Sequence, residues 1–443
     1  MGHDILARLD RIPVWALPRH FLAIIGIGYF FVFYDIADIG YALPAITDEF
    51  GLTGSEGVFV AVAVGLVGYA VGSIGIGSLA DRFGRYRMLI LTMTLTAVGS
   101  FGDAAAQGLV SLAVFRFVTG MGVGADLNLV STYVSELAPA RVRGRITVLT
   151  FVIGILGQTV TPFVALALVP HFAHGWRLLF VIGGAIALLG LVARTVLPES
   201  PRWEVLHGRV SEAERTVARM EQTCAQCGVS LPDPAAESVD EGRAGWHGLF
   251  ARPYGRRLAI LISMWFLWYI GNYGFLGDAT QLMTDKGAAI GGSILFLAIG
   301  AAGYPVGAAA MLVLVDRLER RVLILISTVV WLIGMLLVGS FAGDVAISAG
   351  AFLAAVALGS YLQVAYTFTA ESFPTRGRAT LFALSDGIGH SGGALGALAL
   401  PVVVAHWSFF GGFAAIGVTG LLAGLVALLG PAATGRRLEH VSG

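Results

Sequence analysis

Ionisable side chains buried in long apolar runs are the residues of this 443-residue chain best suited to chemistry. Asp35 and Asp38 fall within Phe33-Tyr34-Asp35-Ile36-Ala37-Asp38, where an i, i+3 spacing puts both on one helix face. Arg116 and Asp126 share a second apolar run, Asp278 and Asp386 occupy two others, and His390 follows one turn after Asp386. Such groups are expensive in a low-dielectric interior and by default mark an ion or proton path. A carboxylate there can take up a proton where its charge is poorly solvated, and a nearby arginine tunes that uptake. Asp35 with Arg116 is the preferred proton-coupling pair, with Asp38 or Asp126 as relay or solute contact. A static ion pair that merely orients two helices is the alternative.

The elements that must hold these groups follow from composition. The chain is 56% hydrophobic and 13% charged, against about 25% charged in a soluble globular domain. Disorder, collagen-like repeats and disulfide scaffolds are excluded, and 28 basic against 28 acidic residues leave no basic domain for nucleic acid. A spanning helix needs about 20 mostly apolar residues. Twelve stretches meet that length, near 20–46, 57–80, 88–106, 110–136, 144–169, 177–197, 258–283, 290–315, 322–341, 346–371, 377–404 and 408–430. The first is too long for a cleavable signal peptide. An all-α, multi-pass membrane protein is expected.

Orientation follows from the basic residues. With both termini in the cytoplasm, 24 of the 28 fall on the cytoplasmic side, and only Arg177 and Lys286 lie outside. Arg116 and Arg194 lie within spans, and Arg194, near the end of its span, is expected to snorkel. The polar segment 198–257 reads as a cytoplasmic linker without a core of its own, helical around Trp203–Gln222. It separates an N-terminal six-helix bundle (1–197) from a C-terminal one (258–430), with a tail at 431–443. The halves repeat: Asp81-Arg82 recurs as Asp316-Arg317, and Glu136, Pro139, Arg141 and Arg143 recur as Glu371, Pro374, Arg376 and Arg378, all offset by 235. At that offset Asp35, Arg116 and Asp126 meet Ile270, Ala351 and Tyr361, so the charged chemistry belongs to the first half.

The segment Gly77-Ser78-Leu79-Ala80-Asp81-Arg82-Phe83-Gly84-Arg85-Tyr86-Arg87 has a gating logic. Gly77 permits close helix approach, Asp81 can cap a neighbouring helix or pair with a loop arginine, and Gly84 turns the chain. Its pattern, G-x-x-x-D-R-x-G-R-x-R between spans two and three, resembles the signature loop of the major facilitator superfamily. Asp316-Arg317-Leu318-Glu319-Arg320-Arg321 is a second copy without the glycines. Ser135-Glu136 through Arg145 and Pro198-Glu199-Ser200-Pro201-Arg202-Trp203 resemble the sugar-porter and metabolite–proton symporter branch. The resemblance spans the chain. It implies two pseudo-symmetric six-helix bundles that bind a small polar metabolite between them and work by alternating access. It also implies gating by Gly77, Asp81, Arg82, Gly84, Arg85, Glu136, Arg143, Asp316, Arg317, Glu371 and Arg376. Asp35 and Arg116 match a span-one aspartate and a span-four arginine given a proton-coupling role in that branch.

A narrower resemblance, to phosphate–proton symporters, rests on Gly124-Ala125-Asp126-Leu127, on Trp265, Tyr269 and Tyr273 in span seven, and on Gln158. The acidic residue expected at Tyr269 is absent, no span-eleven lysine is evident near His390-Ser391, and span seven lacks the double glutamine of sugar porters. Asn272, Tyr273, Tyr361, Gln363 and Tyr366 can offer hydrogen bonds from the second half, and Tyr34 and His390 join the candidate binding residues; helix packing is the alternative for each. Gly389-His390-Ser391-Gly392-Gly393 matches a hydrolase G-x-S-x-G, but its Gly/Ala-rich span favours close helix packing. Gly120-x-Gly122-x-Gly124, with no strand before it, reads the same way. Cys224 and Cys227, a lone C-x-x-C, read as reduced thiols and not a metal or redox site. The expectation is a proton symporter for a small organic acid in the cell's inner (plasma) membrane, monomeric, without a cofactor and not an enzyme. Phosphate or sugar symport, proton-antiport efflux and a solute receptor are the alternatives.

Overall fold

The structure, a computed structural model, describes residues 2–53, 56–57, 59–139, 142–234, 253–286, 290–315, 317–373 and 378–432. Among these, eleven helical segments are long and apolar enough to cross a membrane. The first six spans are α2 (Arg19–Phe50), α3 (Val64–Phe83), α4 (Arg85–Ala104), α5 (Leu109–Leu137), α6 (Arg143–Leu168) and α7 (Gly175–Arg194). Of these α4 is the least apolar: it carries Arg85, Arg87 and Asp103, yet at 20 residues it is as long as α3 and completes the six. The second six are α10 (Tyr254–Asp285), the pair α11 (Ile290–Ala301) and α12 (Gly303–Leu314), α13 (Arg320–Ser340), α14 (Asp344–Glu371), α15 (Arg378–His406) and α16 (Phe409–Ala427). In all, twelve spans form two pseudo-symmetric bundles.

Two spans depart from the expected single helix. The eighth breaks at Ala302, because Pro305 has no N–H to bond the Ala301 carbonyl and Gly300 and Gly303 flank the break. The second opens with a π turn, Phe59–Ala63. The repeat holds to the level of single contacts. A methyl group on Gly68, Gly72 or Gly124 would lie 2.3, 2.0 or 2.3 Å from the carbonyl oxygens of Phe117, Met121 and Tyr69, closing α3 on α5. At an offset of 235, Gly303, Gly307 and Gly359 meet the Phe352, Val356 and Tyr304 carbonyls at 2.3, 2.1 and 2.3 Å, closing α12 on α14. Small residues are what let helix backbones approach this closely in lipid.

The linker is helical where the sequence predicts it, around Trp203–Gln222. It forms α8 (Pro201–Leu206) and α9 (Val210–Gln226), divided at Gly208, where φ is +74°. An unanticipated N-terminal helix, α1 (Gly2–Asp10), packs on them. Ile5 and Leu9 of α1 join Ala213, Val217, Met220 and Cys224 in an apolar patch, and Arg8 and Arg11 reach Glu221 at 2.7 and 2.6 Å. The linker thus shares a core with the N-terminus. Cys224 is buried and Cys227 exposed, both free thiols. Burial, reinforced by Glu199, pushes the Glu204 carboxyl up to about 7.

Two outcomes are expected. Gly72→Val should destabilise the detergent-purified protein by about 1–3 kcal/mol, read as a fall in Tm; Gly75→Val, whose added atom meets nothing within 4 Å, should leave Tm nearly unchanged. Because the Glu204 carboxyl lies above its ordinary value, its protonated form favours the folded linker. That contribution is full at low pH and disappears as pH rises through about 7. Amide exchange from α8 and α9 should therefore speed up between about pH 5 and about pH 8, with a smaller pH dependence in Glu204→Gln.

Candidate functional site

The first charged cluster is assembled by three helices. Arg116 of α5 faces Asp35 at 3.2 Å and Asp38 at 3.6 Å from α2, and Asp103 at 3.5 Å from α4. All four are almost wholly buried. The guanidinium lies over the Phe180 ring, 5.5 Å from its centroid, and Thr119 donates to Asp103 at 3.2 Å. Neither Asp38 oxygen has a hydrogen-bond partner, nor does Asp35 Oδ1. One guanidinium therefore serves three carboxylates. Asp103 was missed in the sequence, although an acid inside an apolar run is the same signal that marks Asp35.

Asp126 is not part of this cluster. It lies ten residues from Arg116 on α5, about 15 Å along the axis. There it pairs with Arg194 of α7, Nη2 to Oδ2 at 2.8 Å, and accepts from Thr92 at 2.7 Å. Arg194 does not snorkel. Its side chain is buried and donates to the Leu89 carbonyl at 3.2 Å, in space kept open by Gly28, where a methyl group would lie 2.0 Å from the guanidinium. The pair ties α4, α5 and α7 together beside α2.

Two of the small cavities between the bundles adjoin the predicted site residues. The first, about 40 Å³, is lined by Asp35, Arg116 and Tyr69 from the first half and Tyr273 and Leu276 from the second. The other, about 10 Å³, is lined by Gln158 of α6 with Tyr269, Asn272, Tyr273, Tyr366 and His390. A single water needs roughly 10–15 Å³, so the bundles here are closed around a few waters' worth of space. Asn272 Oδ1 has no partner. Five predicted binding residues thus converge: Gln158, Tyr269, Asn272, Tyr273 and His390. Others lie elsewhere. The Tyr34 hydroxyl donates to the Leu179 carbonyl at 3.1 Å, and Gln363 donates to the Gly359 carbonyl at 2.8 Å. Trp265 stacks behind Tyr269 and donates to Thr369 at 3.0 Å, and Tyr361 stacks on Trp268. In this conformation Tyr34 and Trp265 bond to, and Tyr361 stacks on, neighbouring helices, and the Gln363 amide turns back on its own helix, while the Gln363 Oε1 and the Tyr361 hydroxyl stay without a partner.

The second half also contributes charge. Asp386 of α15 accepts from Tyr69 of α3 and from Tyr269 of α10, both at 2.7 Å. His390 donates through Nδ1 to the Asp386 carbonyl at 2.8 Å, and its ring stacks on Tyr69 with centroids 3.4 Å apart. Tyr304, which is Tyr69 displaced by 235, accepts from Gln158 of α6 at 3.2 Å. The same tyrosine in each half thus reaches into the opposite bundle. The expectation that charged chemistry belongs to the first half misses Asp386.

The residues expected to gate cluster at the face carrying the basic loops. Arg85 holds Asp81 and Glu136 at 2.9 Å each and donates to the Ala80 carbonyl. Its counterpart Arg320 holds Glu371 at 3.1 and 3.2 Å and donates to the Val315 carbonyl. Asp81 also accepts from the Thr380 hydroxyl at 2.8 Å and its N–H at 3.2 Å, bridging α3 to the start of α15. Glu199 accepts from the Arg85 N–H at 2.9 Å, Trp203 donates to the Asp81 carbonyl at 3.0 Å, and Gly84 turns at φ +101°. Gly77 is buried in α3, whereas Arg82 and Arg317 are exposed. Asp316, Arg376 and the Arg143 side chain lie outside the described residues. Beyond Asp35, next to the first cavity, Gly40 of α2 abuts the Leu276 carbonyl of α10, so the bundles also touch there.

Known proteins resemble this chain in sequence and fold. A family model described as sugar (and other) transporter matches residues 21–443. The chain belongs to that family, within the major facilitator superfamily. This transporter is 30% identical over 415 residues to the niacin transporter NiaP of Acinetobacter baylyi, covering 91% of this chain and 90% of that one. It is 29% identical over 403 residues to the 4-hydroxybenzoate transporter PcaK of Pseudomonas putida, covering 89% and 88%. The xylose transporter XylE from E. coli, in a partially occluded inward-open conformation, superposes with a TM-score of 0.73 at 21% identity, covering 91% and 95%. The transporter is a multi-pass membrane protein and not an enzyme, and its G-x-S-x-G segment packs glycines: a methyl group on Gly392 would lie 2.2 Å from the Phe266 carbonyl oxygen of α10.

The Asp126–Arg194 pair yields a stability test. Arg194→Leu strands a buried carboxylate and should cost about 3–5 kcal/mol. The double variant with Asp126→Leu should recover much of that loss in thermal denaturation and keep solute exchange. Loss of exchange in a folded double variant would return Asp126 to a relay role.

Proposed function

We propose that this transporter is a proton-coupled symporter for a small organic acid, entering the cell by alternating access with the basic face cytoplasmic. The observation that carries the reading is Arg116 ringed by Asp35, Asp38 and Asp103. Charge balance in a buried site leaves two of the three carboxylates to be neutralised by protons, since only one guanidinium is present. A further proton on Asp35 releases Arg116 for a carboxylate on the cargo, so one proton and one anion load together. Unloading the proton restores the Asp35 pair and expels the anion. The cargoes of the two relatives, niacin and 4-hydroxybenzoate, are compact ring compounds, and Tyr69, Tyr269, Tyr273, Tyr366 and His390 line the cavities with aromatic surface. The gate couplings Arg85–Glu136 and Arg320–Glu371 stiffen each bundle, while Asp81–Thr380 is the contact that parts when the bundles rock. A monomer suffices, because the site lies between the two halves of one chain, 1–197 and 258–430, joined by the linker 198–257.

The test uses proteoliposomes with an inward gradient of nicotinate or 4-hydroxybenzoate. Symport acidifies the lumen; alkalinisation identifies antiport, and no flux with either acid removes the organic-acid reading. Asp35→Asn should cut proton-driven accumulation by roughly tenfold or more while solute exchange persists. Wild-type accumulation in that variant takes Asp35 out of the coupling role.

A further inference from the structure

Among the described residues Asp386 is the one buried carboxylate of the second bundle whose two oxygens are held by hydroxyls from opposite bundles, Tyr69 and Tyr269. Asn128 of α5 also approaches it. Tyr69 lines only the first cavity and His390 only the second, while Ile36, Tyr273 and Leu276 line both. The stacked Tyr69 and His390 rings therefore lie between the cavities alongside the shared wall of Ile36, Tyr273 and Leu276, and Asp386, which lines neither cavity, sits behind them. When the bundles separate, Tyr69 and Asn128 leave with the first half, whereas Tyr269 and His390 stay with Asp386. That movement joins the two cavities and strips a buried carboxylate of donors. Such a group is costly unless a replacement donor arrives.

We propose that Asp386 is a specificity-determining residue that receives an N–H or O–H donor of the cargo in the place vacated by Tyr69. The proposal rests on the organic-acid reading and adds a second requirement to it. The preferred cargo is a small ring compound with a carboxylate at one end, for Arg116, and a hydrogen-bond donor at the other, for Asp386. The Tyr269 hydroxyl, 3.2 Å from that of Tyr366, holds the remaining carboxylate oxygen. The His390 ring supplies a flat surface beside it. A donor-free ring acid would leave Asp386 short of a partner and bind poorly, as sites built to hydrogen-bond a hydroxyl reject analogues that lack it.

The experiment measures binding to the full-length protein in lipid nanodiscs with two matched pairs, benzoate against 4-hydroxybenzoate and benzamide against 4-hydroxybenzamide. Each pair differs only in a ring donor. The wild-type protein should bind the hydroxylated member roughly tenfold or more tightly. Asp386→Asn should reduce that preference by roughly fivefold, because a charged acceptor becomes a neutral one. Tyr69→Phe removes the competing donor and should tighten the hydroxylated member by roughly threefold, whereas a merely structural lesion would weaken it. Equal affinities within each pair, or an undiminished preference in Asp386→Asn, overturns the proposal. If only the amides bind, the organic-acid reading fails and the amide pair still decides the role of Asp386. If no compound binds, both readings fall.

Discussion

Buried charge without enough counter-charge is the constraint on which the rest of the molecule depends. Arg116 can neutralise one carboxylate, yet Asp35, Asp38 and Asp103 all face it. In water such a cluster would cost little; away from water the imbalance has to be met by protons, by cargo or by movement. Helices α2, α4 and α5 must hold it in place, and they do so through close packing. The α3–α5 glycine contacts and the buried Asp126–Arg194 pair ten residues further along α5 leave that helix little freedom. On the proposed reading, a rigid bundle would convert a change of charge at one residue into displacement of a whole half.

Scaffold and chemistry obey different symmetries. The scaffold repeats strictly at 235 residues: Arg85–Glu136 against Arg320–Glu371, the α3–α5 seam against α12–α14, Tyr69 against Tyr304. The chemistry does not. Arg116 becomes Ala351, and the partners of the two seam tyrosines are a carboxylate, Asp386, on one side and a neutral amide, Gln158, on the other. Equal stiffness in both halves suits rocking about a shared axis, while unequal seams make the two sides respond differently to the same ligand or proton.

The sequence showed the spans clearly, because hydropathy over 20 residues is nearly all a membrane demands of a helix. The gate motifs were equally legible, since their spacing is local and repeats. The long-range pairings were not. Arg194 lies at the end of α7, where an arginine normally reaches for the interface; only the gap opposite Gly28 and the Asp126 carboxylate draw it inward. Asp126 resembled a relay because it shares a helix with Arg116, but helical rise separates them. Tyr34 and Gln363 sit next to promising residues in the chain, yet helix rotation turns them to carbonyls on their own or neighbouring helices. Asp386 was visible, but its tie to Tyr69 spans 317 positions and two bundles.

That tie explains why the closed interior is small. With Tyr69 bonded to Asp386 and stacked on His390, the volume a ring compound would need is filled by the protein's own aromatic rings. The closed state is therefore stabilised by contacts that imitate a ligand, with a phenol hydroxyl on a carboxylate and one flat ring on another. Opening has to replace those contacts, and water alone does so poorly against a buried charge with aromatic walls. On the proposed reading, a cargo that reproduces them would lower the cost of separating the halves and so couple the choice of solute to the motion that carries it.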